Sequence, residues 1–134
     1  MTYSLTFNRQ HSYRSERNIR LPVSLNTGVK NVTLLASVDT GAEYCFFERE
    51  YADALLIDLE RGVGLSCETV TGTFRAYGHE LTMSALGIEV SAFVYFYESP
   101  NISRNVLGRN GWLDRIRLGL IHHDSLLYLS SYDD

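Results

Sequence analysis

Val38-Asp39-Thr40-Gly41-Ala42 stands directly after a run in which Val32, Leu34 and Ala36 recur at every second position. A spacing of two is typical of a strand with one buried face, so the sequence predicts a strand that ends on a carboxylate. Gly41 then permits a turn or a close backbone approach that a side chain would block. The segment therefore places one acid on a tight loop at the end of a strand.

The tripeptide Asp39-Thr40-Gly41 is also compatible with an ordinary β-turn that carries a solvated Asp39, because all three are common turn residues. A second segment, Asn105-Val106-Leu107-Gly108-Arg109-Asn110, favours a functional role. An apolar pair, a glycine, an arginine and an asparagine lead there into a short helical pattern. This pattern predicts that Trp112, Leu113 and Ile116 face inward.

Together the two segments resemble the retropepsins, the retroviral-type aspartic proteases. These carry Asp-Thr-Gly-Ala in the first half of the chain and an apolar-apolar-Gly-Arg-Asn segment before a C-terminal helix. The resemblance covers residues 19 to 129. It implies an all-β fold, a small closed barrel with a flap hairpin and one or two short helices, and an activity as an aspartic endopeptidase.

The periodicity of the chain independently predicts an all-β protein, either a small barrel or a sandwich, because alternating segments are separated by turn signals every ten or so residues. The predicted strands cover residues 19–25, 32–38, 65–77 as a hairpin, 81–85, 88–96 and 126–129. Phe47, Tyr51, Ala54 and Leu55 have the spacing of an amphipathic helix face. We therefore expect one domain over residues 19–134, preceded by an N-terminal arm or edge strand over residues 1–18, where Tyr3, Leu5 and Phe7 alternate.

Composition limits the possible functions. The 134 residues fit one domain, and a net charge of −4 gives no basic surface for nucleic acid. The sequence has no apolar run of the roughly 20 residues that span a bilayer. With two cysteines it is not a disulfide scaffold, and a reduced cytoplasmic setting is expected. No metal site or cofactor is indicated.

The resemblance also implies a homodimer. Peptide hydrolysis in this class uses two carboxylates and one water, and the chain has a single Asp-Thr-Gly, so the second Asp39 has to come from a second copy. Two carboxylates about 3 Å apart repel by roughly 5 kcal/mol at an effective dielectric near 20, so the pair is expected to share one proton. The expected partners are a second copy and a protein or peptide substrate.

The retropepsin motif also implies roles for individual residues. Asp39, Thr40 and Gly41 form the catalytic loop, and the Thr40 hydroxyl bonds across the dimer axis. Gly108 and Arg109 support the loop, and Arg109 pairs with Glu43. The remaining residues expected to contact substrate are Ala42, Glu43, Phe46 and Val106, together with Val70, Thr71 and Gly72 at the tip of the flap.

Several alternatives remain at this level. The hairpin over residues 65–77 has the position of the retropepsin flap, but its pattern also fits a plain surface hairpin. Phe46 either narrows a substrate pocket or belongs to the core. Cys45 is either a reactive thiol or a buried apolar residue. The whole chain, finally, is either the enzyme or a catalytically idle retropepsin-like fold that serves dimerisation or peptide binding.

Overall fold

The structure is a computed structural model and describes residues 1–134. It contains ten strands, one short α-helix and three single turns of 3-10 helix, which confirms the predicted all-β class. The elements are β1 (Arg9–Ser12), β2 (Arg20–Asn26), β3 (Asn31–Val38), β4 (Phe46–Phe47), α1 (Arg49–Ala54), β5 (Val63–Thr69), β6 (Gly72–Ala85), β7 (Ile88–Tyr97), β8 (Val106–Leu107), β9 (Ile116–Ile121) and β10 (Leu126–Ser131). The 3-10 turns are Leu59–Arg61, Leu113–Arg115 and His122–Asp124.

The larger sheet closes into a barrel. Its strands run in the order β2-β3-β8-β4-β7-β6-β5, and a further pairing of β2 with β6 joins the two sides of the ring. Closure of the ring leaves β5 outside it, as the outer strand of the β5–β6 hairpin. A second sheet of three strands, in the order β1-β10-β9, packs beside the barrel. The expected small closed barrel is therefore confirmed.

The core lies inside the barrel and extends under the three-stranded sheet. In β2 the residues Leu21, Val23 and Leu25 are fully buried, and their neighbours along the strand are not. This alternation is the one that the sequence predicts, because a strand sends successive side chains to opposite faces. Each fully buried leucine or valine contributes about 1.5–3 kcal/mol to folding.

The N-terminal strand lies later in the chain than predicted. Tyr3 and Leu5 are 87% and 65% exposed, and the strand forms at Arg9–Ser12. It pairs with β10, with Arg9 opposite Leu129. One residue earlier, the Asn8 N–H donates to the Ser130 hydroxyl at 2.9 Å, so a side-chain oxygen replaces a backbone carbonyl as the acceptor at the end of the ladder.

Both predicted helices are shorter than their patterns suggest. The helix α1 begins only at Arg49, because Phe47 belongs to β4, where it pairs with Phe96 of β7. The later start moves the buried face to Ala52 and Leu55 and leaves Ala54 exposed, so the predicted face is wrong at Phe47 and Ala54.

The second predicted helix is reduced to the 3-10 turn Leu113–Arg115. Gly111 has a φ of +111°, which no helix accommodates. Trp112 is 1% exposed, and Ile116 is buried as the first residue of β9, whereas Leu113 is only partly buried. None of the helices has both the length and the apolar character that a membrane-spanning helix needs.

Candidate active site

Asp39 is fixed by the pairing of two strands that are distant in sequence. β3 runs parallel to β8, with Val38 opposite Leu107. Directly beyond this pair the Asp39 N–H donates to the carbonyl of Leu107 at 3.0 Å. The strand pairing thus continues by one bond onto the acid, which has the position predicted for it at the end of a strand.

The loop after Asp39 turns back on its carboxylate. The Gly41 N–H donates to Asp39 Oδ1 at 2.9 Å, and the Ala42 N–H donates to the Asp39 carbonyl at 3.1 Å. A Cβ atom at Gly41 would lie 3.3 Å from Asp39 Oδ1, which is tight. A backbone donor on a carboxylate oxygen fixes the orientation of the group.

The second sequence motif packs directly on this loop. The N–H groups of Arg109 and Asn110 donate to the carbonyls of Ala42 and Glu43, each at 2.9 Å. A Cβ atom at Gly108 would lie 2.1 Å from the carbonyl oxygen of Tyr44, so no side chain fits there. Glycine at this position therefore lets the two segments join, and the structure brings both motifs into one site.

The predicted ion pair between Glu43 and Arg109 is not formed in the structure. Arg109 Nε donates instead to the carbonyl of Ala42 at 3.4 Å. Glu43 remains exposed and acts on neighbouring groups by its charge. Its negative charge is the largest cause of a raised pKa at Tyr44, and it adds to the effect of burial in raising the pKa of Cys67.

Arg104 is a residue of this site that our sequence reasoning missed. Its Nη2 donates to Asp39 Oδ2 at 2.9 Å, and the two side chains are 64% and 30% exposed. The only sequence signal is its position two residues before Val106, which puts both side chains on the same side of an extended chain. Asp39 therefore has Gly41 on one oxygen and Arg104 on the other.

Two cavities open on either side of this arrangement and share Asp39, Arg104 and Val106. The first, the aromatic cavity, has a volume of about 520 Å³ and lies under the β5–β6 hairpin. Its wall is a cluster in which Phe46 stacks on Tyr97 at 5.6 Å between ring centroids and meets Phe74 edge-on at 5.8 Å. Burial raises the pKa of Tyr97 to about 12, so its hydroxyl is neutral at ordinary pH.

The second cavity, the arginine cavity, has a volume of about 660 Å³. Four guanidinium groups line it, those of Arg14, Arg17, Arg20 and Arg104. Arg20 is paired with Glu16 at 2.7 Å. The cavity is thus polar and rich in positive charge, in contrast to the aromatic cavity.

The predicted site residues fall into four groups. Those that line the aromatic cavity are Asp39, Gly41, Ala42, Glu43, Phe46 and Val106. Gly108 and Arg109 support the loop from behind. Val70, Thr71 and Gly72 are exposed at the tip of the hairpin and do not line the cavity; the hairpin residues that do include Leu65, Cys67 and Phe74. Thr40 is exposed, and its hydroxyl has no hydrogen-bond partner within the chain.

Cys45 is a structural residue rather than a reactive thiol. It is fully buried, and burial raises the pKa of its thiol to about 11. Its sulfur accepts a hydrogen bond from the Gly108 N–H at 3.3 Å, so it takes part in joining the two motifs. Of the groups at the centre of the site, the Asp39 carboxylate remains as the one suited to acid–base chemistry with water.

Comparison with known proteins adds the fold family. No family model matches the sequence, and no curated protein matches it either. Among solved structures, a retropepsin-like aspartic protease from Rickettsia conorii superposes with a TM-score of 0.67 at 20% identity, over 92% of this chain and 99% of that one. EIAV protease in complex with the inhibitor HBY-793 superposes with a TM-score of 0.56 at 19% identity, over 74% of this chain and 88% of that one. The chain therefore has the retropepsin-like fold.

Proposed function

We propose that this protein is an aspartic endopeptidase whose active site forms between two copies of the chain, each of which contributes one Asp39. The observation that carries the proposal is the setting of Asp39. Its carboxylate is oriented by the Gly41 N–H at 2.9 Å, remains 30% exposed, and stands where two cavities meet. The solved structures that share this fold include two aspartic proteases, which supports the same chemistry.

The reaction requires two carboxylates with different roles. One Asp39 carboxylate takes a proton from a water molecule, while the other, protonated, donates a hydrogen bond to the scissile carbonyl oxygen. The water oxygen bonds to the carbonyl carbon, and the proton then passes to the leaving amine as the C–N bond breaks. No metal or other cofactor is required for these steps.

A single chain contains only half of the proposed active site, which supports the dimer. It supplies one Asp-Thr-Gly loop, and a two-fold axis between two such loops is the simplest closed arrangement. The exposed Thr40 hydroxyl, without a partner in its own chain, is free to bond across that axis. Because β1 already pairs with β10 within the chain, we expect a shared sheet to use a free edge, that of β1 or β9.

We also propose that the β5–β6 hairpin is the flap that closes over the substrate. Leu65, Cys67 and Phe74 turn from the hairpin into the aromatic cavity, so a bound peptide would lie against them. Beyond them the tip projects into solvent, and Val70 is fully exposed at 105%. Substrate and the second chain are the groups left to cover it.

The proposal is tested by cleavage of a denatured protein library, with the cut sites identified by mass spectrometry. Wild type is expected to cut, and Asp39→Asn to lose at least three orders of magnitude in rate, because one side of the dyad can no longer exchange a proton. Asp133→Asn is the matched control, since Asp133 is exposed near the C-terminus and makes no hydrogen bond. A folded, dimeric wild type that cuts nothing would overturn the proposal in favour of the idle fold, and cutting by Asp39→Asn would overturn the assignment of the acid.

A further inference from the structure

The two cavities that meet at Asp39 carry opposite excess charge. Four arginines line the arginine cavity, against the three acids Glu16, Asp39 and Glu48. In the aromatic cavity the single cation is Arg104, against the acids Asp39, Glu43 and Glu68. A ligand that enters both is therefore met by positive charge on one side and by aromatic rings with negative charge on the other.

The positive charge of the arginine cavity is only partly used by the chain itself. Glu16 pairs with Arg20, and Glu48 accepts a hydrogen bond from the Asn105 amide. Arg17 is exposed and has no partner, and Arg14 donates only to a backbone carbonyl, that of Asp124, at 3.3 Å. Two guanidinium groups thus lack a carboxylate.

Arg104 is placed to act on a bound ligand as well as on Asp39. Only its Nη2 is engaged, so Nε and Nη1 remain available as donors. In the proposed dimer two Arg104 residues would face two Asp39 carboxylates that share one proton, so two positive charges would meet a single negative one. One guanidinium charge beside the scissile bond would then be uncompensated.

An extended peptide that passes Asp39 would place neighbouring side chains in different cavities. Successive side chains of a strand point to opposite faces, and each residue advances the chain by about 3.3 Å. A side chain directed to the aromatic cavity is therefore followed by one directed to the arginine cavity.

We propose that the arginine cavity selects an acidic side chain of the substrate, at a residue flanking the scissile bond, and that Arg104 is the residue that recognises it. The neighbouring substrate side chain, which meets Phe46, Phe74 and Tyr97, is apolar. The preferred substrate is thus a peptide in which Asp or Glu stands next to an apolar residue at the cut. This proposal rests on the proposed function, because it takes the cut to occur at Asp39.

The test uses the full chain and a set of peptides built on one sequence that wild type cleaves. The peptides differ only in having Glu, Gln, Leu or Lys at each of the two residues that flank the cut. Wild type is expected to prefer Glu over Gln about tenfold in kcat/KM at one or both positions, as one charge-assisted hydrogen bond allows. Arg104→Gln and Arg104→Leu should bring that ratio close to one, and Arg104→Lys should retain part of it.

The ratio of kcat/KM for the Glu peptide to kcat/KM for the Gln peptide distinguishes recognition of substrate by Arg104 from positioning of Asp39 by Arg104. If Arg104 only oriented the Asp39 carboxylate, its variants would slow all peptides alike and leave the Glu-to-Gln ratio unchanged, which would overturn the proposal. Arg61→Gln is the control, since Arg61 is 86% exposed and lines neither cavity. It should leave the ratio at the wild-type value.

Binding of the same peptides to Asp39→Asn, measured by fluorescence anisotropy, tests the inference without requiring cleavage. Tighter binding of the Glu peptide, lost on the further change Arg104→Gln, would support recognition by Arg104 even if the Arg104 variants cut too slowly for their rates to be compared. Equal binding of the Glu and Gln peptides, together with equal cleavage, would overturn the inference and leave the proposed function standing.

Discussion

The Asp39 loop and the tip of the β5–β6 hairpin are held in opposite ways. The loop is tied to the second motif by backbone bonds from Arg109 and Asn110, with Gly108 in close contact behind it. At the tip, the Thr69 hydroxyl donates to the Gly72 carbonyl at 2.9 Å, and a Cβ atom at Gly72 would meet nothing within 4 Å. The chain thus holds the loop that carries the acid in place and leaves the tip of the hairpin without contacts to its other segments.

Gly108→Ala should have the largest effect, because Gly108 lies where the Asp39 loop packs against the second motif. The new methyl group would lie 2.1 Å from the Tyr44 carbonyl oxygen and 2.9 Å from that of Ala42, so the two motifs have to separate. We expect a loss of about 3 kcal/mol in the free energy of unfolding, measured by denaturant titration, together with loss of cleavage.

Gly28→Ala is the control for this change. Gly28, unlike Gly108, has a positive φ, of +90°, but a Cβ atom there would meet nothing within 4 Å, so we expect a loss of about 1 kcal/mol from backbone strain alone. Equal losses in the two variants would show that the motifs are not joined as tightly as the structure has them.

Mixing chains tests whether the second half of the site comes from another copy. At constant total protein, above the dissociation constant, an equal mixture of wild type and Asp39→Asn should retain roughly a quarter of the wild-type activity, because only one dimer in four keeps both acids. Chains that act alone would retain a half. The same assay on dilution should lose specific activity below the dissociation constant measured by sedimentation, and full activity from a monomer would contradict the shared site.

Gly72→Val changes the tip of the β5–β6 hairpin, the region with few contacts. Gly72 has a φ of +140°, which a β-branched side chain does not adopt easily, but the tip has no neighbours that a valine would displace. We expect a loss of about 1 kcal/mol in stability and, if the hairpin is the proposed flap, about a tenfold loss in kcat/KM, because its tip could no longer close in the same conformation.

Gly28→Val is matched to this variant, since Gly28 lies between β2 and β3, also has a positive φ and lines neither cavity. It should cost similar stability and leave kcat/KM unchanged. If the two variants lost activity to the same degree, the hairpin would not act as a flap.

The parts of the molecule that were predicted correctly depend on local patterns. The alternation in β2 and β3 reports directly which face is buried, and it places Asp39 at the end of β3. The helix face was mispredicted at Phe47 because a partner 49 residues further along the chain, Phe96, holds it in a strand. Tertiary pairing overrides a helical pattern that covers so few residues.

The candidate site shows the same division. Gly41 and Gly108 stand out in the sequence because their motifs require glycine. Arg104 does not, because its bond to Asp39 spans 65 residues and depends on the parallel pairing of β3 with β8. The pair Glu43–Arg109 was implied by the positions of the two residues in the retropepsin motif, and the Ala42 carbonyl, which no sequence pattern reveals, takes the Arg109 side chain instead.

Removal of the first six residues has the smallest expected effect and extends the comparison to a third region. Met1, Tyr3 and Leu5 are exposed at 104%, 87% and 65%, so this segment resembles the hairpin tip in lacking contacts with the rest of the chain. Removal of residues 1–6 should therefore change the free energy of unfolding by less than about 0.5 kcal/mol.

Removal of residues 1–10 is the informative partner of that deletion. It also takes away Phe7, whose ring lies 6.0 Å from that of Tyr128, and the first two residues of β1, which pair with Leu129 and Tyr128. We expect it to lower the free energy of unfolding by about 2 kcal/mol, because β10 gains an exposed edge. We also expect it to weaken the proposed dimer in sedimentation, because a second copy could no longer pair with the shortened edge of β1. The shorter deletion could instead weaken the dimer while leaving the fold of the monomer stable. Residues 1–6 would then contact the other subunit, and the contrast between segments with and without contacts would apply only to the single chain.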